Sequence, residues 1–414
     1  MAAPPADAPP PRGRELIAMV GALMALNALS IDIILPALSE IGTSFGETGN
    51  APQLVITAYL FGFGAAQVVY GPLADAFGRR ATLLWALAAY FAATLVCLLA
   101  WDFEWLLAAR VLQGVAAAAT RVVAMAIVRD VVAGRRMAQV MSFAMTVFMA
   151  APIFAPALGQ LIMLAGAWEW IFTALLGGGL ALAVWMYARL PETLAADKRQ
   201  PIAPGPTARN YWLAAKNRTS LGYMAASSLM FGALFAFIAT SEQIIAHLYG
   251  LEEWFALAFG AVAAALAFAN VINARIVTRY GMRRVSHIAL TGFILITSAH
   301  ALISLAGQPP FWVFFILLAS GMILFAMIGA NFSALVMEPA GERAGTAAAL
   351  YGSATSVSGA LLGSLIGLQY DGSVTPLLAG MATLGAGALA IVAITERGKL
   401  FGDGDEIHAP AGAE

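Results

Sequence analysis

Charge is what this chain has least of. Asp, Glu, Lys and Arg make up 11% of its 414 residues, against roughly 25% in an ordinary soluble domain. So little charge cannot cover a water-facing surface of this size, which excludes a soluble globular protein. Cysteine is nearly absent as well. The single thiol, Cys97, excludes an intrachain disulfide and a thiolate metal cluster, and its place within an apolar run reads as a small packing residue. The four histidines, His247, His287, His300 and His408, are scattered without metal-ligand spacing, and no nucleophile motif accompanies them. That disfavours a membrane enzyme. No metal, cofactor or nucleic-acid partner is expected.

What the chain has instead is hydrophobic length. Apolar residues make up 61% of it and its mean hydropathy is +0.82, so lipid must solvate it. Runs near the ~20 residues that span a bilayer predict twelve helices, over residues 15–37, 52–72, 80–100, 104–128, 138–165, 170–190, 219–243, 253–275, 285–306, 311–336, 344–368 and 374–395. The stretch from Met1 to Arg14 is rich in Pro and Ala and is expected to be disordered. The run that follows, Leu16 to Pro36, is too long for a cleavable signal and is expected to remain as the first span.

The connections alternate in charge. One set holds Arg79 and Arg80; Arg129, Arg135 and Arg136; the basic loop from Arg189 to Arg218; Arg275 to Arg284; Arg343; and Arg397 with Lys399. The other holds Glu40, Glu47, Asp102, Glu104, Glu169, Glu252, Glu253 and Asp371, and no basic residue. Basic loops stay in the cytoplasm, so both termini are expected there. Trp101, Trp105, Trp168, Trp170, Trp254 and Trp312 fall at the opposite helix ends, where indoles favour the interface.

The chain also repeats. Gly281 in Arg279-Tyr280-Gly281-Met282-Arg283-Arg284 matches Gly78 in Ala76-Phe77-Gly78-Arg79-Arg80 at an offset of 281 − 78 = 203. Gly363 matches Gly159 at 363 − 159 = 204. Two features at nearly one offset predict a six-plus-six duplication. The organisation expected is a tail over 1–14, an N-terminal six-helix bundle over 15–190, a cytoplasmic linker over 191–218, a C-terminal bundle over 219–396 and a tail over 397–414.

Motifs then narrow the class. Between the second and third spans the chain reads Gly71-Pro72-Leu73-Ala74-Asp75-Ala76-Phe77-Gly78-Arg79-Arg80. Gly71 permits a close helix contact, Gly78 a tight turn, and Asp75 can accept from a helix N-terminus. This segment resembles the loop signature of the major facilitator superfamily, departing from it at Ala76. Arg110-Val111-Leu112-Gln113-Gly114 is similar to an element of that superfamily's drug:proton antiporter branch. Ala151-Pro152-Ile153-Phe154-Ala155-Pro156-Ala157-Leu158-Gly159 is similar to its antiporter motif, with Ala155 and Gln160 where glycines are usual. Asp32 to Ala37, Leu190-Pro191-Glu192-Thr193-Leu194 and Ala344-Gly345-Thr346-Ala347 narrow the resemblance to Bcr/CflA-like efflux transporters.

The resemblance covers residues 15 to 396. It implies an all-α fold of two six-helix bundles in a bacterial inner membrane, probable function being export of small, largely apolar drugs in exchange for protons. It also implies a conformational lock built from Gly71, Asp75, Gly78, Arg79, Arg80 and Arg129, and an antiporter motif at Pro152, Pro156 and Gly159. The expected partners are a small-molecule substrate, protons and the lipid bilayer, with the chain monomeric. The physics of the fold equally allows a proton-coupled transporter of a small metabolite, anionic if Arg121 lines the cavity.

Two arginines remain inside an apolar run, Arg110 and Arg121. Asp32 and Arg110 lie at matched depth on oppositely directed helices, about 7 to 9 Å below the outer edge. They are expected to pair, either as a proton-coupling couple or as a static one. Arg121, eleven residues after Arg110, shares its helix face. It lines the cavity and favours nitro, carbonyl or carboxylate groups over quaternary ammonium, or else it reaches a buried carbonyl or Asp130. Tyr59, Gln67, Gln113, Asn270 and Asn331 are further cavity candidates, with interhelix bonding an equal alternative.

Overall fold

The computed structural model describes residues 13–132 and 134–402; the side chains at 13, 14, 134, 135, 138, 142, 145 and 342 are outside that description. The expected disorder of residues 1–12, and the tail beyond 402, therefore lie outside it. The described residues are helical, without strands. Twelve helices are long and apolar enough to cross a membrane. They are α1 (Gly13–Asp32), α2 (Leu54–Phe77), α3 (Arg79–Leu98), α4 (Phe103–Val131), α5 (Gly134–Ala165), α6 (Glu169–Arg189), α7 (Arg218–Glu242), α8 (Phe255–Tyr280), α9 (Met282–Leu305), α10 (Phe311–Met337), α11 (Ala344–Gly367) and α12 (Thr375–Thr395).

Three departures from the expected spans have local causes. The first helix breaks at Asp32 instead of running to residue 37. A 3₁₀ turn follows at Leu35–Ala37, then a short helix at Leu38–Ser44. Pro36 lacks an N–H and disfavours α geometry in the residue before it. Beyond α7 the helix widens into a π turn over Gln243–Leu248. The linker carries a helix of its own, Pro204–Ala215.

Helix ends follow the side chains available. Asp102 accepts the Trp105 amide at 2.6 Å to start α4, and Asn217 accepts from Thr219 and Ser220 to start α7. Gly78 (φ 97°) and Gly281 (φ 77°) join α2 to α3 and α8 to α9 in a conformation other residues avoid.

Contacts group the chain into two units, Met1–Thr207 with Phe255–Gly260, and Ala208–Trp254 with Ala261–Glu414. In the first, α1 packs on α5, α3 on α4 and α3 on α6; in the second, α7 packs on α11, α9 on α10 and α9 on α12. Small residues set these crossings, since apolar side chains gain nothing by leaving lipid for one another. A Cβ on Gly114 would fall on the Tyr59 carbonyl and one on Gly62 on the Val111 carbonyl, so α2 and α4 touch backbone to backbone. A Cβ on Gly159 would fall on the Ile33 carbonyl of the first span, and one on Gly363 on the backbone of Phe235 and Ala236 in α7. At Gly71 a Cβ meets nothing within 4 Å among the described residues. The close contact expected there is formed at Gly62 and Gly114.

Candidate functional site

The break after Asp32 organises the first unit. A helix end leaves its last carbonyls without intrahelical partners, and Ser30 lies in that last turn. Arg110, fully buried on α4, donates from Nη2 to Ser30 O at 3.1 Å, from Nε to Val55 O at 3.1 Å, and from Nη1 to Gln113 Oε1 at 2.6 Å. Its guanidinium lies 4.5 Å from the Tyr59 ring centroid and 5.9 Å from that of Phe172. One cation thus ties α1, α2, α4 and α6, at a helix C-terminus where positive charge is favoured. Its supports extend to α3. Gln113 Nε2 donates to Thr94 Oγ1 at 2.8 Å, and Thr94 in turn donates to Tyr90 O. The Ser30 hydroxyl donates to Leu26 O, so the Tyr90 hydroxyl donates to Ser30 Oγ at 2.7 Å.

The expected Asp32–Arg110 pair is not formed. Among the described residues Arg110 has no ion pair; its donors go to two backbone carbonyls and a neutral amide. The depth match survives in another form, because Ser30 is two residues from Asp32. Asp32 is 4% exposed, with neither a salt bridge nor a side-chain hydrogen bond among the described residues.

The other cavity candidates divide. Tyr59 is buried under Arg110 and donates to Asn27 Oδ1 at 2.9 Å. Asn27 Nδ2 is buried and has no hydrogen-bond partner among the described residues. Gln113, expected to line the cavity, spends both ends of its amide on Arg110 and Thr94. Gln67 is buried. Arg121 is half-buried, 5.9 Å from the Phe148 ring centroid. In the second unit, Asn331 Nδ2 bonds Asn273 Oδ1 at 2.8 Å and joins α10 to α8, while Asn270 bonds Leu266 O in its own helix. Asn331 therefore serves as interhelix bonding.

At the basic end of the first unit, Arg79 bridges Asp75 (2.6 Å) and Asp130 (2.9 Å). Glu192, past the end of α6, accepts the backbone amides of Arg79 (2.9 Å) and Arg80 (3.3 Å) and so caps α3 from 113 residues away. A Cβ on Gly78 would strike that carboxylate. Arg80 donates to Tyr187 O at 2.9 Å. Arg129, expected in this cluster, is exposed, with no ion pair among the described residues; it is the neighbouring Asp130 that turns toward Arg79.

The second unit has a counterpart. Glu396 stands 396 − 192 = 204 residues after Glu192. Its Oε1 accepts from Arg283 Nε at 3.1 Å and from the Tyr223 hydroxyl at 2.7 Å, and Arg283 also reaches Glu338 at 3.3 Å. His287 Nδ1 accepts the Phe401 amide at 3.1 Å, so the hydrogen sits on Nε2, which faces the Tyr223 oxygen at 2.9 Å. The sequence reading quoted Glu192 only within a motif and passed over Glu396. Applying the glycine offset to acidic residues would have found the pair.

Twelve apolar helices in two units with repeated packing, and charge clusters confined to helix ends, define an integral membrane transporter. The chain belongs to the Major Facilitator Superfamily, whose profile matches residues 20–364. It is 31% identical over 372 residues to a bicyclomycin resistance protein homolog of Haemophilus influenzae, covering 87% of this chain and 91% of that one. It is 29% identical over 355 residues to a chloramphenicol resistance protein of Pseudomonas aeruginosa, covering 82% and 80%. The resemblance to Bcr/CflA-like transporters read from the motifs therefore holds. The fold matches the xylose transporter XylE from E. coli in a partially occluded inward-open conformation, with TM-score 0.72, 12% identity, and coverage of 91% and 97%.

Proposed function

We propose that this protein exports small, largely apolar drugs across a bacterial inner membrane in exchange for protons, as a monomer with both termini in the cytoplasm. Asp32 is the proton site. It is the single observation that carries the reading: a carboxyl group 4% exposed, at the broken end of the first span, with no ion pair among the described residues. Burying a carboxylate without a partner costs far more than burying the neutral acid, so gaining or losing the proton changes the stability of whatever conformation holds Asp32 in apolar surroundings. Arg110 is the positioning residue, since it holds the helix end on which Asp32 sits. Arg121 and Tyr59 border the substrate path. The cluster of Asp75, Arg79 and Asp130, with Glu192 at the start of α3, stabilises one state of the alternating cycle.

Drug susceptibility tests this in a host stripped of its own efflux pumps. Expression is expected to raise resistance to chloramphenicol or bicyclomycin, and a protonophore to remove the gain. Unchanged susceptibility to both drugs, or resistance indifferent to the protonophore, would favour a metabolite transporter instead.

A further inference from the structure

Glu242 ends α7, is 5% exposed, and plays no part in the site above. The helix does not stop there but continues as a π turn, Gln243–Leu248. In an α-helix, residues five apart point about 140° away from each other. The wider π turn brings Glu242 and His247 together, with His247 Nε2 at 2.9 Å from Glu242 Oε1. The other ring nitrogen, Nδ1, lies 3.6 Å from Glu252 Oε1 in the next 3₁₀ turn. The His247 side chain is 46% exposed and that of Glu252 74%, against 6% for Glu242. A graded path therefore runs from water, through an imidazole, to a carboxyl inside a membrane-spanning helix. π turns are uncommon and cluster at functional sites.

The neighbourhood offers Glu242 no permanent cation from its own unit. No Lys or Arg occurs between Arg218 and Arg275, between Arg284 and Arg343, or between Arg343 and Arg397. Of the helices packed on α7, α10 and α12 carry no ionisable side chain and α11 carries only Tyr351, near its basic end. From the connection between α11 and α12 come Tyr370, whose hydroxyl donates to Gln243 O at 3.4 Å, and Asp371. Burial, with Asp371 and Glu242 adding to it, holds the Tyr370 hydroxyl above its ordinary range. Glu252 and Glu253 complete the surroundings on the 3₁₀ turn, and Tyr249 follows the π turn. Every charge there except that of protonated His247 is negative.

We infer that Glu242 and His247 form a second proton-binding site, in the C-terminal half and loaded from the acidic end of the bundle. This rests on the proton-exchange reading but places a site where that reading has none. Together the two groups hold one proton as His⁺ with Glu⁻, or as neutral His with the neutral acid. Losing it leaves a buried carboxylate with no cation of its own unit beside it, so the pair titrates as a unit. A proton taken from water by His247 passes to Glu242 across their hydrogen bond, with no bond other than N–H and O–H formed or broken.

The full-length protein in proteoliposomes separates the inference from the reading beneath it. In infrared difference spectra between acid and alkaline pH, a carboxylic C=O band is expected in wild type, absent in Glu242→Gln and displaced in midpoint in His247→Gln. The half-exposed His247 tolerates substitution, so that variant carries the test if Glu242→Gln does not fold. With chloramphenicol as the transported probe, both variants are expected to release fewer protons per drug molecule than wild type. A wild type that moves chloramphenicol without protons overturns the proton-exchange reading and leaves the infrared band to decide the site. A proton-coupled wild type whose spectrum and proton ratio survive both substitutions overturns the second site and leaves the reading intact.

Discussion

Arg110 and Gln113 face each other one turn apart on α4, the guanidinium donating to the amide oxygen over 2.6 Å while the amide nitrogen holds Thr94 of α3. The bond is intrahelical, but its consequence is not. With one donor fixed by Gln113, the remaining fork of Arg110 is aimed at Val55 O and Ser30 O on two other helices. A planar fork with donors in fixed directions suits this task, and a lysine ammonium on a flexible stem does not.

Gln113→Leu is therefore expected to leave a buried donor of Arg110 without its partner, at a cost of about 1–3 kcal/mol. Thermal unfolding in detergent should show a lowered midpoint. Arg110→Lys should be destabilised as well, although its charge is kept. An unchanged midpoint in both would contradict the hub.

Two glycines of the quoted motifs should behave oppositely under one substitution. Gly114→Ala drives a methyl into the Tyr59 carbonyl, and overpacking of this kind costs about 1–3 kcal/mol. Gly71→Ala meets open space, so its folded yield should match wild type. Equal yields of folded protein from the two variants on size-exclusion chromatography would refute the α2–α4 crossing.

Glu192→Ala removes the carboxylate that caps α3, and a lost cap costs about 1 kcal/mol. Proteolysis should then nick the segment around Gly78 faster than in wild type. Glu396→Ala should be the more damaging, since it strips buried partners from both Tyr223 and Arg283. A ranking in the reverse order would undo the parallel between the two clusters.

Arg121→Ala is expected to weaken resistance to nitro- or carbonyl-bearing drugs such as chloramphenicol and to relax exclusion of quaternary ammonium dyes, because a fixed positive charge beside the path repels cations. A resistance profile unaltered at normal protein levels would make Arg121 structural.

Helix number was legible because each span exceeds the length a bilayer demands, and family membership because the motifs fall between the right spans. Local geometry was less so. Pro36 announced a break, but the use of the freed Ser30 carbonyl depended on where α4 would cross α1. Arg110 stood out as an intramembrane cation, whereas its partners are backbone atoms that no residue type advertises. Glu242 fell at the predicted end of its helix, at residue 243, and only the π turn showed that it faces a histidine five residues on.

The central claim is that Asp32 carries the exchanged proton. The direct measurement is chloramphenicol transport by Asp32→Asn in proteoliposomes under an imposed pH gradient, beside chloramphenicol binding by the same protein. The account predicts binding close to wild type and no response of transport to the gradient. Gradient-driven transport at the wild-type rate would place the coupling proton on another residue.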